Sequence, residues 1–212
     1  MYALLDNNQI KVGPRQYAFS FFQDYLNKNY IDYTLPFDYN NNDTIVINEN
    51  IKLVYVQEPT IPSYNPLIEQ LAGPFYDISE EPITGYYTVE PRYLDSIKNE
   101  LIALVASKRY EKEMVGFDMV IQDNTVHINT TKEERATWHQ MLTVIGEGTI
   151  KFKFSSSLWL ELNLTDIQSI VAAIVNHVQN CFIWEAGILD QIGVAVDSNE
   201  LLVINDEILG VV

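Results

Sequence analysis

One stretch constrains this chain more than any other. From Thr165 to Ile192 the apolar residues Ile167, Ile170, Val171, Ile174, Val178, Cys181, Phe182, Leu189 and Ile192 recur at helical spacing, which a 3.6-residue period gathers into one stripe. Thr165 with Gln168 has the capping-box pattern at the start, and Gly193 supplies a stop. About 27 residues at 1.5 Å each make a rod of about 40 Å, long enough for a small domain to be laid against it. Asp166, Gln168, Asn176, His177, Gln179, Asn180, Glu185 and Asp190 break the run, so it is too polar for a membrane span.

The remaining 184 or so positions must be organised around that rod, and the 212-residue chain fits one large domain or two small ones. Apolar residues make up 47% and both charge signs occur, enough to build a packed core. A net charge of −16 repels phosphate, which argues against nucleic acid or an anionic membrane as partner. Its first meaning is solubility; a basic protein partner or bound cations are the functional alternatives. The single cysteine, Cys181, excludes an internal disulfide and a multi-thiolate metal site. Met1-Tyr2-Ala3 opens no signal peptide, since no basic segment precedes an apolar run.

Along the chain, residues 2–12 read as a hairpin about Asp6-Asn7-Asn8, and Tyr17 to Leu26 as a short aromatic-faced helix. Residues 29–43 read as a loop with one extended piece, Tyr30–Leu35, and Asn40-Asn41-Asn42-Asp43 as a turn. Ile45–Ile47 and Ile51–Val56 form a second hairpin pattern; Pro59, Pro62 and Pro66 then demand an extended connector. Leu71–Ile78 and Ile83–Val89 are further strands. Pro91, at a helix N-terminal position, opens a helix over Arg92–Met114 that Gly116 ends. Phe117–Ile121 pairs with Thr125–Asn129, Thr131 and Glu134 cap a helix to Ile145, and Thr149–Phe154 pairs with Leu158–Leu162. Glu200–Leu209 reads as a closing strand or a tail that orders on a partner. The expected fold is α+β: a β-rich N-terminal interaction region over 1–90, a helix–hairpin–helix–hairpin–long helix domain over 91–195, and a tail over 196–212.

His177, Cys181 and Glu185 stand four residues apart, on one helical face. A Cys–His nucleophile would need an exposed thiolate, and a zinc site a second ligand pair; Cys181 also falls in the apolar stripe, where it acts as a small hydrophobe. Glu185 interrupts that stripe, and a carboxylate there needs a cation, for which Arg109 and Arg135 are candidates. His127 and His139 are isolated in sequence and read as packed or exposed rather than catalytic. Glu80-Glu81, Glu111/Glu113 and Glu133-Glu134 read as solvated faces. Tyr64, Tyr76, Tyr86 and Tyr87 are interaction candidates, because a Tyr ring offers contact area with a polar tip; half-buried strand tyrosines are the plainer account. No catalytic, cofactor or metal motif is present in the sequence.

Residues from about Tyr93 to Ile192 resemble a domain of unknown function found in tail and tail-fibre proteins of tailed bacteriophages. The matching pieces are Ala106-Ser107-Lys108-Arg109-Tyr110-Glu111-Lys112-Glu113, Gly116, Thr130-Thr131 with Arg135, Leu158–Asp166, His177-Val178-Gln179-Asn180-Cys181-Phe182 and Glu185. Phe152 stands where many relatives have tryptophan, and Val115-Gly116 where they often have paired glycines. Asn65–Glu90 is similar to an extended module that often precedes this domain. The resemblance implies a virion tail component made in the host cytoplasm, an adaptor joining tail or baseplate to fibres, oligomeric in the assembly. It implies no cofactor and no catalytic residue. A fibre-assembly chaperone absent from the finished particle is the second expectation, and an enzyme acting through Cys181 and His177 the third.

Overall fold

Two asparagines set the first turn. Asn7 and Asn8 both hold positive φ (50° and 58°), the pairing a two-residue hairpin needs to match strand twist, and they join β1 (Tyr2–Asp6) to β2 (Gln9–Arg15). In the computed structural model of the protein, the described residues are 1–17, 19–36, 39 and 42–210. Ala18, Asn40, Asn41 and the final Val211-Val212 of the sequence expectations lie outside them. The chain divides into two compact units, Met1–Arg92 and a second from Tyr93 onward, and its class is α+β.

The first unit adds α1 (Phe19–Lys28), β3 (Ile45–Val46), β4 (Ile51–Gln57), β5 (Glu69–Asp77) and β6 (Ile83–Pro91). The sheet runs β2-β1-β4-β6-β5, with β3 on β4. β4 and β6 pair in parallel, Val56 beside Ile83, so this sheet is not built from hairpins alone. Strand alternation sends Tyr2, Leu4 and Leu53 to one face with Phe22 and Leu26 of α1, and Ala3, Leu5, Val54, Val56 and Ile83 to the other. The extended piece before Leu35 forms no strand. A side chain does a strand's work there: Gln23 donates to Tyr33 O at 2.8 Å and accepts from Leu35 N at 2.9 Å, holding buried Leu35 in the core.

The second unit runs α2 (Leu94–Val115), β7 (Phe117–Ile121), β8 (Asn124–Ile128), α3 (Lys132–Val144), β9 (Ile150–Lys153), β10 (Trp159–Leu162), α4 (Leu164–Val194) and α5 (Ser198–Leu209). Pro91 closes β6 instead of opening α2, whose N-cap is Tyr93. The cap of α4 is Asn163 with Asp166, one carboxamide and one carboxylate in a reciprocal box, and not Thr165 with Gln168. Gly193 is helical, and α4 continues to Val194 for 31 residues. Residues 200–209 belong to a helix, α5, and not to a closing strand or a loose tail. Asp197 caps it by accepting from Asn199 N and Glu200 N, and Gly210 ends it in the left-handed region. Leu201, Ile204 and Ile208 are buried, at helical spacing. The three-part division into 1–90, 91–195 and 196–212 therefore becomes two, with the last segment part of the second unit.

Both hairpins pack on α3 and the first half of α4 around Trp138, Ile128, Leu162, Ile167 and Ile170. Phe152 sits in that core with its ring centroid 4.5 Å from Trp138 and 4.9 Å from Phe154, a spacing at which aromatic rings attract. Farther along, α2 packs on α4, and α5 meets both.

Candidate functional site

The carbonyls of an α-helix's last turn have no partner within the helix. At the end of α2, side chains from three other places take up three of them. His177 Nε2 on α4 lies 3.1 Å from Lys112 O; the hydroxyl of fully buried Thr130, just after β8, donates to Glu113 O; and His127 Nε2 on β8 lies 2.9 Å from Val115 O. Gly116 completes the exit with φ 84°. A Cβ there would overlap the Ile128 carbonyl oxygen, so glycine lets the chain turn directly from α2 into β7.

Beneath that exit lies a charged knot. Glu113 is only 5% exposed, and a buried carboxylate persists only when paired and hydrogen-bonded. Arg109, one turn earlier on α2, donates to its Oε2, and Arg135 Nη1 on α3 lies 2.7 Å from its Oε1. Arg109 Nε in turn lies 3.3 Å from Glu185 Oε2 on α4, an ion pair without hydrogen-bond alignment, since that nitrogen has no hydrogen-bond partner. The Arg109 guanidinium also covers the Phe182 ring at 4.6 Å. Two cations and two anions thus balance, and they tie α2, α3 and α4 at one point.

Of the sequence candidates, the structure brings Arg109, Arg135, His177, Cys181 and Glu185 into this one joint, and pairs Glu185 with Arg109. The expectation that Glu111 and Glu113 are both solvated fails for Glu113. Residues two apart on a helix face different ways; Glu111 is exposed beside Lys108, while Glu113 extends the buried row Ile97, Leu101, Val105. The signal was that every-fourth row, which runs on through Arg109. His127, isolated in the sequence, finds partners in the fold: its Nδ1 lies 2.7 Å from Asp118 Oδ1 across the hairpin, and the carboxylate first, then the Val115 carbonyl, raise its pKa above the ordinary histidine value. Tyr64, Tyr76, Tyr86 and Tyr87 belong to the first unit, where Tyr76 and Tyr86 line one cavity and Tyr64 stands in the proline-bearing connector.

The Cys181–His177 pair is poorly arranged for nucleophilic chemistry. Sγ lies 4.0 Å from Nε2, but Nε2 faces the Lys112 carbonyl, so it carries the proton and has no lone pair to offer. Burial, and then the Glu113 carboxylate, push the Cys181 thiol pKa up, away from thiolate. Among the described residues no cluster of three or more His, Cys, Asp or Glu side chains is gathered as a metal ion requires, and no helix is long and apolar enough to cross a membrane.

On its outer side α4 exposes polar residues such as Gln168, Asn176, Gln179 and Asn180, with large apolar side chains among them. Val175, Phe182 and Ile183 are 61%, 45% and 59% exposed. A groove of about 390 Å³ lies on one side of the helix between Lys112, Val115, His177 and Trp184. Another of about 410 Å³ lies toward α3, between Arg135, His139, Val171 and Val178.

Residues 96–207, just over half of the chain, match the family described as a domain of unknown function (DUF4376). The chain belongs to the DUF4376 family. The match runs from the first turn of α2 into α5, contains every residue of the joint, and reaches beyond the expected boundary at residue 195. No curated protein matches the chain, and no solved structure does.

Proposed function

We propose that this DUF4376 protein is a structural component of a bacteriophage tail, an adaptor that connects tail or baseplate to tail fibres through protein–protein contacts. One observation supports an interaction module above all: the polar residues gathered at the joint, Arg109, Glu113, Arg135, His177 and Glu185, are spent on internal ion pairs and on capping α2. Among exposed polar residues such as Asn176, Gln179 and Asn180, α4 also leaves Val175, Phe182 and Ile183 in the open, apolar area that a protein partner would cover. The phage context comes from the resemblance of residues 93–192 to domains of tail and tail-fibre proteins. Localisation in the virion tail and an oligomeric state in the assembly belong to the same proposal; heterologous contacts between identical subunits close into the rings that tails are built from.

The test is quantitative mass spectrometry of purified particles and of infected-cell lysate from the source phage. A fixed copy number relative to other tail proteins supports the adaptor. Presence in lysate together with absence from particles replaces it with a fibre-assembly chaperone, and a gene outside any phage or prophage overturns both.

A further inference from the structure

We propose that the first unit carries a binding site for a neutral saccharide. A cavity of about 700 Å³ opens where the β1–β2 turn, β4 and the β5–β6 connection converge, a size within the range of small-ligand sites. Its wall is fixed before any ligand arrives. The Lys52 ammonium pairs with Glu81, whose Oε2 also accepts the Thr44 hydroxyl at 2.9 Å. Asp77 Oδ1 accepts both Ser79 N at 2.9 Å and Ser79 Oγ at 2.6 Å. The Tyr86 ring, 47% exposed, is steadied by Phe75 at 5.8 Å. Groups held this way lose little freedom on binding.

The groups left over decide the ligand. Asn8, Tyr76, Asp77 and Tyr86 line this cavity, and among the described residues the Asn8 amide, the two tyrosine hydroxyls and Asp77 Oδ2 make no hydrogen bond to protein. An amide and two hydroxyls both donate and accept, and a carboxylate oxygen accepts; together they suit a ligand carrying several hydroxyls. The half-exposed Tyr86 ring suits the C–H face of a sugar ring. The charged groups argue against other classes. Asp77 and Glu81 outnumber Lys52, which Glu81 already neutralises, so a phosphate or carboxylate ligand is repelled. A divalent cation finds Glu81 committed to Lys52. The density of polar groups disfavours an apolar ligand, which would leave them unpaired.

Saturation-transfer NMR with the full chain tests this, using glucose, galactose, mannose, N-acetylglucosamine and rhamnose with their short oligomers, each at millimolar concentration. Transfer to at least one neutral sugar is expected. Preference for oligomers assigns the site to a polysaccharide, and equal response to the monomer assigns it to free sugar. Tyr86→Ala, which removes a half-exposed ring, is expected to weaken binding about tenfold. Asn8→Gly keeps the left-handed turn (φ 58°) while deleting the amide, and is expected to weaken it by a similar factor. Circular dichroism confirms that both variants fold. No transfer to any neutral sugar, transfer only to charged sugars, or binding unchanged in both variants overturns the proposal.

Discussion

Replacing Glu113 by glutamine keeps the shape of the charged knot and deletes its central charge. Two charge-assisted bonds converge on that carboxylate, from Arg109 and Arg135. Removing one partner of a buried ion pair costs about 3–5 kcal/mol. Here the cations are not sealed: Arg109 and Arg135 keep 19% and 25% of their side chains exposed, and Arg109 retains Glu185. Partial rehydration lowers the expected loss to about 2–3 kcal/mol, which for a unit of this size is roughly 6–12 °C in melting temperature. Tryptophan fluorescence isolates the relevant transition, because Trp138, Trp159 and Trp184 are the chain's three tryptophans and all lie in the second unit. Glu111→Gln is the control: same helix, two residues away, 56% exposed and paired only with Lys108, with an expected cost within about 0.5 kcal/mol. If the two variants melt together, Glu113 does not hold the three helices, and the account of the joint is wrong.

Two further outcomes follow from the α2 exit. His127 has a raised folded-state pKa, so its contribution to stability is fully present below the unfolded histidine value of about 6.5 and is lost as pH rises through the folded value. The tryptophan-reported melting temperature of the native protein should therefore fall, relative to His127→Gln, between about pH 6 and 8; parallel profiles would remove His127 from the joint. Gly116→Ala should cost about 3 kcal/mol or more, since positive φ and a carbonyl overlap act together. Gly146→Ala, with φ 54° and open space around it, should cost about 1 kcal/mol, and equal losses in chemical denaturation would refute the overlap.

The parts of this fold that were legible in the sequence are those where a local signal and the tertiary structure agree. Asn7-Asn8 and Gln122-Asp123 mark tight turns, and both pairs hold positive φ; the long stripe of α4 gives a helix because its period lasts for many turns. Two signals misled for physical reasons. Leu201-Leu202-Val203-Ile204 is a continuous apolar run with β-branched members, and over so short a window a strand and a buried helix look alike. Asp197 and Gly210, a cap and a stop thirteen residues apart, were the arbiters. At Pro91 a residue suited to the start of a helix ends strand β6 instead, because β5 pairs β6 as far as Glu69 beside Pro91. The site was half legible: spacing put His177, Cys181 and Glu185 on one face, but their partners come from α2 and α3, and only the packing of three helices brings Glu113 and Arg135 to them.

That convergence explains why a sequence motif with the look of chemistry can be architecture. Every piece of the resemblance that carries a polar side chain of the joint, from Arg109 and Glu113 through Thr130 and Arg135 to His177 and Glu185, meets in the last two turns of α2. A helix end in a protein interior leaves carbonyls without partners. A carboxylate in the same place needs two cations. Both demands are met by residues that are far apart in sequence, so each must be kept for the others to remain satisfied. Val175 and Ile183, exposed on α4, carry no such mutual obligation, whereas Phe182 lies under the Arg109 guanidinium and belongs to the knot.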